Sequence, residues 1–333
     1  MYSPYAVMAK NLLGRVKLFF PFIGLGILAI IVYTLDITQI IDAFLSINPW
    51  YVVYALSLTI PLVLIRNTAW QLIMRDQKIR VGFFRLMKIY LIGLLYGTIT
   101  PGYFGQLMRV PYLKETTGEP YGKLFINTVI ETFVHTFSLY GMMIIGAVLV
   151  IGTIPNLLPL TVLWIVGVTL VALYFLKKER GEKLLHSIIK YMIPKKGKVQ
   201  FSAFVDSFYI DFPHFTAMIL PFVLGIITWV IVFTQEYIIL LSLGLTIPYL
   251  AFLLLYPVAN TAGFIPITFG GLGTREMTAI FLFSTLYNAP EEKILVLSLV
   301  GFIVTDVFMG FIGFLLSLTE SRSRNYFSDI TNE

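Results

Sequence analysis

The chain has no cysteine in its 333 residues, so it forms no disulfide, no thiolate metal site and no cysteine nucleophile. Charge is scarce too: only 13% of residues are Asp, Glu, Lys or Arg, against 58% hydrophobic. With a mean hydropathy of +0.85, no soluble fold of this length could bury the apolar surface, which leaves a multi-pass membrane protein. Signatures of chemistry are also missing. There is no Walker A pattern, so the chain does not hydrolyse nucleotide by itself, and no Asp-x-Asp, G-x-S-x-G or paired metal-ligand motif. Glu131-x-x-x-His135 alone is weak evidence for a metal. No cofactor, metal or nucleic-acid partner is expected, and a non-enzyme is the favoured reading.

Apolar runs long enough to span lie near 18–35, 50–74, 124–152, 158–176, 216–243 and 294–319. Basic residues cluster at Lys10–Lys17, at 75–88, at 177–198 and at Arg322 and Arg324, whereas 36–49 holds Asp36 and Asp42 and no base. Lys and Arg near span ends stay inside, which places both termini in the cytoplasm of a plasma-membrane protein. The stretch 177–215 reads as a basic cytoplasmic loop. In it, Leu184, Leu185, Ile188, Ile189 and Met192 form the apolar side of an amphipathic helix, or else an ordinary loop. One membrane domain is expected over 1–320, followed by a cytoplasmic tail, 321–333.

Parity then singles out two segments. Residues 89–113 must enter and leave on the inner side, since their apolar arm, 89–100, would be only ~18 Å long against a core of ~30 Å. Residues 249–288 must do the same from outside. Each segment contains nearly the same phrase, Pro101-Gly-Tyr-Phe104-Gly105 followed by Arg109, and Pro266-Ile-Thr-Phe269-Gly270-Gly271 followed by Arg275. The expected architecture is an all-α polytopic protein of about six full spans plus two re-entrant, broken-helix hairpins. These form an inverted repeat whose turns meet in mid-membrane around a cationic cavity.

The polar residues inside this apolar frame are the candidate site. Arg109 and Arg275 follow glycine turns at helix starts, where exposed N–H groups already favour an anion. With Gly105, Gly270, Gly271, Gly273 and Arg66 they would hold a phosphate, to which guanidinium groups are geometrically matched. The alternative is that each arginine pairs with a nearby carboxylate, such as Glu131 or Glu276. Thr274 reads as an N-cap, and Asn260 as an orienter of backbone freed at the second turn. Glu131 and His135, four apart on one helix face with Asn127 a turn before, are either a proton relay or a carboxylate neutralising Arg66 or Arg109 with His135 bonded to it. Trp70, beside Arg66, Asn67 and Gln71, suits an interfacial belt. Glu236 and Asp306 are isolated acids that balance the arginines or bind a coupling cation.

The phrases Arg66-x-x-x-Trp70, Thr100-Pro-Gly-x-x-Gly105-x-x-x-Arg109 and Pro266-x-x-x-Gly270-Gly-x-Gly273-x-Arg275-Glu276 resemble the flippase-like membrane domain of bacterial lysylphosphatidylglycerol synthases and its stand-alone, often archaeal, relatives. The resemblance covers about 15–320. It implies movement of an anionic phospholipid, or of a lipid-linked or polyprenyl-linked phosphate, between leaflets. Aminoacyl transfer is not implied, since the soluble synthase domain is not expected here. Where the family often has an acid after the first-motif glycine, this chain has Gln106. Two other functions remain open: an integral membrane transferase using Glu131 and His135 as acid and base, and a non-transporting partner of a lipid- or glycan-modifying enzyme.

Overall fold

The computed structural model describes residues 22–176, 203–207, 210–211, 213–265 and 268–320. Lys10, Arg15 and Lys17, the basic stretch 177–198 with its amphipathic residues, Pro266, and the tail 321–333 lie outside the described residues. Among the described residues the structure is helical, and its one β feature is an antiparallel bridge between Pro101 and Phe269.

Among the described residues, four helices are long and apolar enough to cross a membrane: Pro49–Asp76, Tyr121–Leu149, Phe215–Ser242 and Glu291–Leu318, each 28 or 29 residues. At 1.5 Å per residue they measure about 42 Å, ample for a ~30 Å core. They fall on the expected runs 50–74, 124–152, 216–243 and 294–319. The expected run 158–176 is the helix Leu157–Leu176. The first run differs from expectation: its helix bends by 98° into a second, Ile37–Leu45, so a pair counts as a fifth span only if taken together. The bend has a local cause. Asp36 accepts from the Thr38 N–H at 2.9 Å, capping a new helix where the sequence suggested only an acidic connection.

Other boundaries follow from proline and local caps. Pro49 opens its helix at a position where a missing N–H costs nothing, with Asn48 Oδ1 accepting from the Trp50 N–H at 3.0 Å. Pro61 cannot donate to the Ser57 carbonyl four residues back, and the same long helix is interrupted between Ser57 and Thr59. Within Glu291–Leu318, the turn Ile303–Val307 widens to π geometry, a feature often found at functional sites.

The chain divides into two compact units. The first comprises residues up to Ser57, Tyr96–Gln106 and Phe233–Val307. Its core is an aromatic stack: Phe252 lies 4.8 Å from Tyr256 and 5.4 Å from Phe283, centroid to centroid. Around this stack the helices Tyr249–Ala262 and Thr274–Tyr287 form a hairpin, each with 14 residues, or about 21 Å and too short to cross. The first-motif turn belongs to this unit as well. Besides the Pro101–Phe269 bridge, the Tyr103 hydroxyl donates to the Gly270 carbonyl at 3.3 Å, and its ring meets Phe264 edge-on at 5.8 Å. The two phrases singled out in the sequence therefore touch, turn against turn.

The second unit comprises Leu58–Leu95, Leu107–Val232 and the residues from Phe308. Ile73, Ile126 and Ile130 form a buried cluster with Phe125, Phe204 and Met218 around it. The helix leading to the first motif starts at Phe83, earlier than the expected 89. Arg85 and Lys88 are thereby in its first turns rather than in a loop, and both hold Glu320, Lys88 at 2.6 Å. On the same unit, Asp211 receives Lys123 at 3.1 Å and Lys78 at 3.4 Å.

Candidate functional site

Among the described residues, each unit buries a cluster of charges around an arginine, and the two clusters differ in sign. In the second unit, Arg66 projects from one long helix and Glu131 from another, each about ten residues, or roughly 15 Å, from its helix end. Arg66 Nη2 lies 2.7 Å from Glu131 Oε1, and Arg109 Nη1 lies 2.9 Å from Oε2. One carboxylate thus serves two guanidinium groups, and all three side chains are buried. Arg109 also reaches Thr132 Oγ1 at 3.4 Å and lies over Trp70, 4.8 Å from the ring centroid. The ring of Tyr90 is 5.9 Å from both arginines.

Trp70 is 0% exposed, which corrects the interfacial-belt reading. Its indole N–H donates to Asn127 Oδ1 at 2.8 Å, and Asn127 Nδ2 donates to Gln77 Oε1 at 2.6 Å. An amphipathic ring near a span end is also suited to capping a buried polar network, and sequence does not separate the two. Gly93 explains how so large a side chain as Arg109 enters. A Cβ at that position would lie 2.3 Å from Arg109 Cγ and 2.7 Å from Cδ, so only glycine leaves the passage open.

The charge count here is two arginines to one carboxylate. Arg66 Nε and Nη1 are buried and, among the described residues, have no hydrogen-bond partner. Unpaired donors on a cation inside protein are costly, and a further acceptor, whether water or an anion, would satisfy them.

His135 and Glu131 share a helix face but take different partners. His135 Nε2 lies 3.1 Å from Thr228 Oγ1, with its ring 4.4 Å from Trp229. The neutralising role read for Glu131 is what the geometry displays, whereas His135 bonds Thr228 in place of Glu131.

In the first unit the second-motif turn is built on glycines. Gly270, Gly271 and Gly273 have φ of +54°, +79° and +91°, conformations that side chains resist. Gly273, not Thr274, is the N-cap. Glu276 Oε2 accepts from the Gly273 N–H, and Glu276 Oε1 receives Arg275 Nη2 at 2.8 Å, Arg275 Nε at 3.1 Å and Ser298 Oγ at 2.9 Å. Arg275 Nε reaches Ser298 Oγ at 3.0 Å too, and its guanidinium lies over Phe302 at 4.8 Å. Arg275 and Glu276 are thus a closed, neutral pair, as the alternative reading had it. The Gly105 N–H is likewise taken, by Thr100 Oγ1 at 2.7 Å, and Asn260 contributes its carbonyl, which accepts from the Gly263 N–H at 3.1 Å.

Around that pair stand Glu236, Asp306, Tyr103 and Tyr256. Ser298, Tyr103 and Tyr256 were not singled out from sequence. A serine inside an apolar helix was a usable signal for the first, whereas two tyrosines among nineteen gave none. No group of His, Cys, Asp or Glu suited to a metal occurs among the described residues.

Residues 20–313 match the family model described as the lysylphosphatidylglycerol synthase TM region. A UPF0104 membrane protein of Methanothermobacter thermautotrophicus is 21% identical over 269 residues, which cover 74% of this chain and 77% of that protein.

Proposed function

Because the chain belongs to the lysylphosphatidylglycerol synthase transmembrane-region family, we propose that it moves an anionic phospholipid or a lipid-linked phosphate between membrane leaflets, receiving the phosphate at Arg66 and Arg109. The observation that carries this reading is the shared carboxylate: two buried arginines, one Glu131, and two Arg66 nitrogens with no partner. A phosphate oxygen would satisfy those donors and balance the extra charge.

Arg275, Gly105, Gly270, Gly271 and Gly273 enter the proposal as the frame of the two turns. Their conformations and bonds hold the turns together, and Arg275, Gly105 and Gly273 already make internal hydrogen bonds. The two touching turns, with short helices leading to them, support an inverted pair of re-entrant hairpins. The basic residues paired with Glu320 and Asp211 support a reading in which they lie on the inner side of a plasma-membrane protein, since basic residues stay inside.

The test is a leaflet-accessibility assay in proteoliposomes of the pure chain, comparing fluorescent anionic and zwitterionic phospholipids. The reading expects faster movement of the anionic lipid, reduced in Arg66→Gln. Equal movement of both head groups by both proteins contradicts it.

A further inference from the structure

The first unit has the opposite imbalance. Once Arg275 is closed on Glu276 and Ser298, two acids remain beside the pair, Glu236 and Asp306, and among the described residues neither forms an ion pair with a base. Asp306 is half-buried on the π turn, and its Oδ2 accepts from Thr305 Oγ1 at 2.8 Å. Glu236 is 2% exposed, and its Oε2 has no hydrogen-bond partner. The hydroxyl of Tyr256, a fully buried residue, is the polar group that faces Glu236 from the neighbouring helix. The side chain is held close: a Cβ on Gly301 would stand 3.0 Å from Glu236 Cγ and 3.3 Å from Oε1.

We propose that Glu236 is a proton-binding site in the core of the first unit, and that its protonation and release drive the movement assigned to the second unit's arginines. The site itself stands on this geometry alone; its coupling to lipid movement rests on the translocation reading. The chemistry is one proton: Oε2 takes it from water to form the neutral acid and returns it on deprotonation, with no redox partner. Among the described residues no base neutralises Glu236, so its charged form is poorly accommodated when buried; the Tyr256 hydroxyl can donate to the carboxylate or accept from the neutral carboxyl, and so serves both states. The charged and titratable groups facing Glu236 are Arg275 and Glu276 on the second-motif helix, Tyr256 on the preceding helix and Asp306 on the π turn, with Tyr103 beyond Asp306. A bound metal ion would need several oxygen ligands, and among the described residues no group of three or more acids or histidines gathers here.

The experiment uses the full chain in liposomes. Infrared difference spectra between acid and alkaline pH would be recorded for the native protein, Glu236→Gln, Tyr256→Phe and Asp306→Asn, and lipid movement followed under an imposed pH gradient. Expected are a protonated-carboxyl band lost on alkalisation, absent in Glu236→Gln, shifted in Tyr256→Phe and retained in Asp306→Asn. The gradient-driven part of lipid movement should be lost in Glu236→Gln. A band that survives Glu236→Gln overturns the site. A rate that follows a sodium gradient and ignores the pH gradient overturns the coupling. No lipid movement in any protein, with the Glu236 band present, overturns the translocation reading and leaves the proton site standing.

Discussion

Pro101 and Phe269 are 168 positions apart and join in one antiparallel β-bridge. Helical protein within a membrane leaves few backbone groups for such a bond, and here it forms where both chains have been broken by proline and glycine. The contact requires close approach at the second turn. A Cβ on Gly271 would lie 2.8 Å from Gly263 Cα, one on Gly273 2.2 Å from the Gly24 carbonyl, and both residues have positive φ. Gly271→Ala and Gly273→Ala are therefore expected to destabilise by at least ~1–3 kcal/mol each, with Gly26→Ala, where nothing is near, as the neutral control. Thermal unfolding in detergent checks this, and equal midpoints for all three would contradict it.

Gly93→Ala tests the passage of Arg109 without touching any charge. The added methyl collides with the Arg109 stem, so the guanidinium must leave Glu131 or the helices must part. A loss of about 1–3 kcal/mol is expected from overpacking, together with a loss of anionic-lipid movement. Native stability and native movement in this variant would show that Arg109 has room to spare.

Trp70→Phe separates a buried network from an interfacial belt. Removing the indole N–H leaves Asn127 Oδ1 without its donor, at a cost of about 1–3 kcal/mol. A belt tryptophan would tolerate the change, so an unchanged unfolding midpoint argues against the network.

Removing Glu131 leaves two buried cations uncompensated. Glu131→Gln is expected to destabilise by ~3–5 kcal/mol, as for a broken buried pair, and the companion change Arg66→Met should recover part of that loss. A double variant no more stable than Glu131→Gln, measured by thermal unfolding, would mean that Arg66 does not depend on Glu131.

The ion pairs at Asp211 and Glu320 give a pH dependence of known sign. The Asp211 carboxyl is held below its ordinary value chiefly by the hydrogen bond from Lys123, against partial opposition from desolvation. For Glu320, desolvation pushes the other way most strongly, but Arg85 and Lys88 together outweigh it and the net shift is downward. A depressed carboxyl binds fewer protons folded than unfolded, so its contribution is complete above the unfolded value of about 4 and is lost as pH falls through the folded one. Unfolding midpoints measured from pH 7 down to about 3 should fall less steeply in an Asp211→Asn, Glu320→Gln protein than in the native chain. Parallel curves would show that these pairs do not form.

Much of this was legible in sequence because hydrophobic length and proline are local signals. The four long helices, the short hairpin arms and the two arginine-bearing turns follow from them, as do Arg66 and Glu131 as charges too deep to lack partners. The bend at Asp36 was missed because an acidic, base-free stretch reads as a connection, although its Asp-x-Thr is also a cap. The second site's partners were missed for another reason. Glu276 is Arg275's neighbour in sequence and was legible as its partner, but that Ser298 and Tyr256 join them, and which acid is left alone, depends on helices distant in the chain meeting, and no spacing encodes that meeting.

The decisive measurement is the rate at which a fluorescent anionic phospholipid changes leaflets in proteoliposomes of the pure chain, native against Arg66→Gln. Arg66 holds the unpartnered donors, and Arg109 alone can still neutralise Glu131, so the variant should fold. Movement of anionic lipid by the native protein, lost in folded Arg66→Gln, is the predicted result. Undiminished movement in that variant would contradict a phosphate site at Arg66 and Arg109.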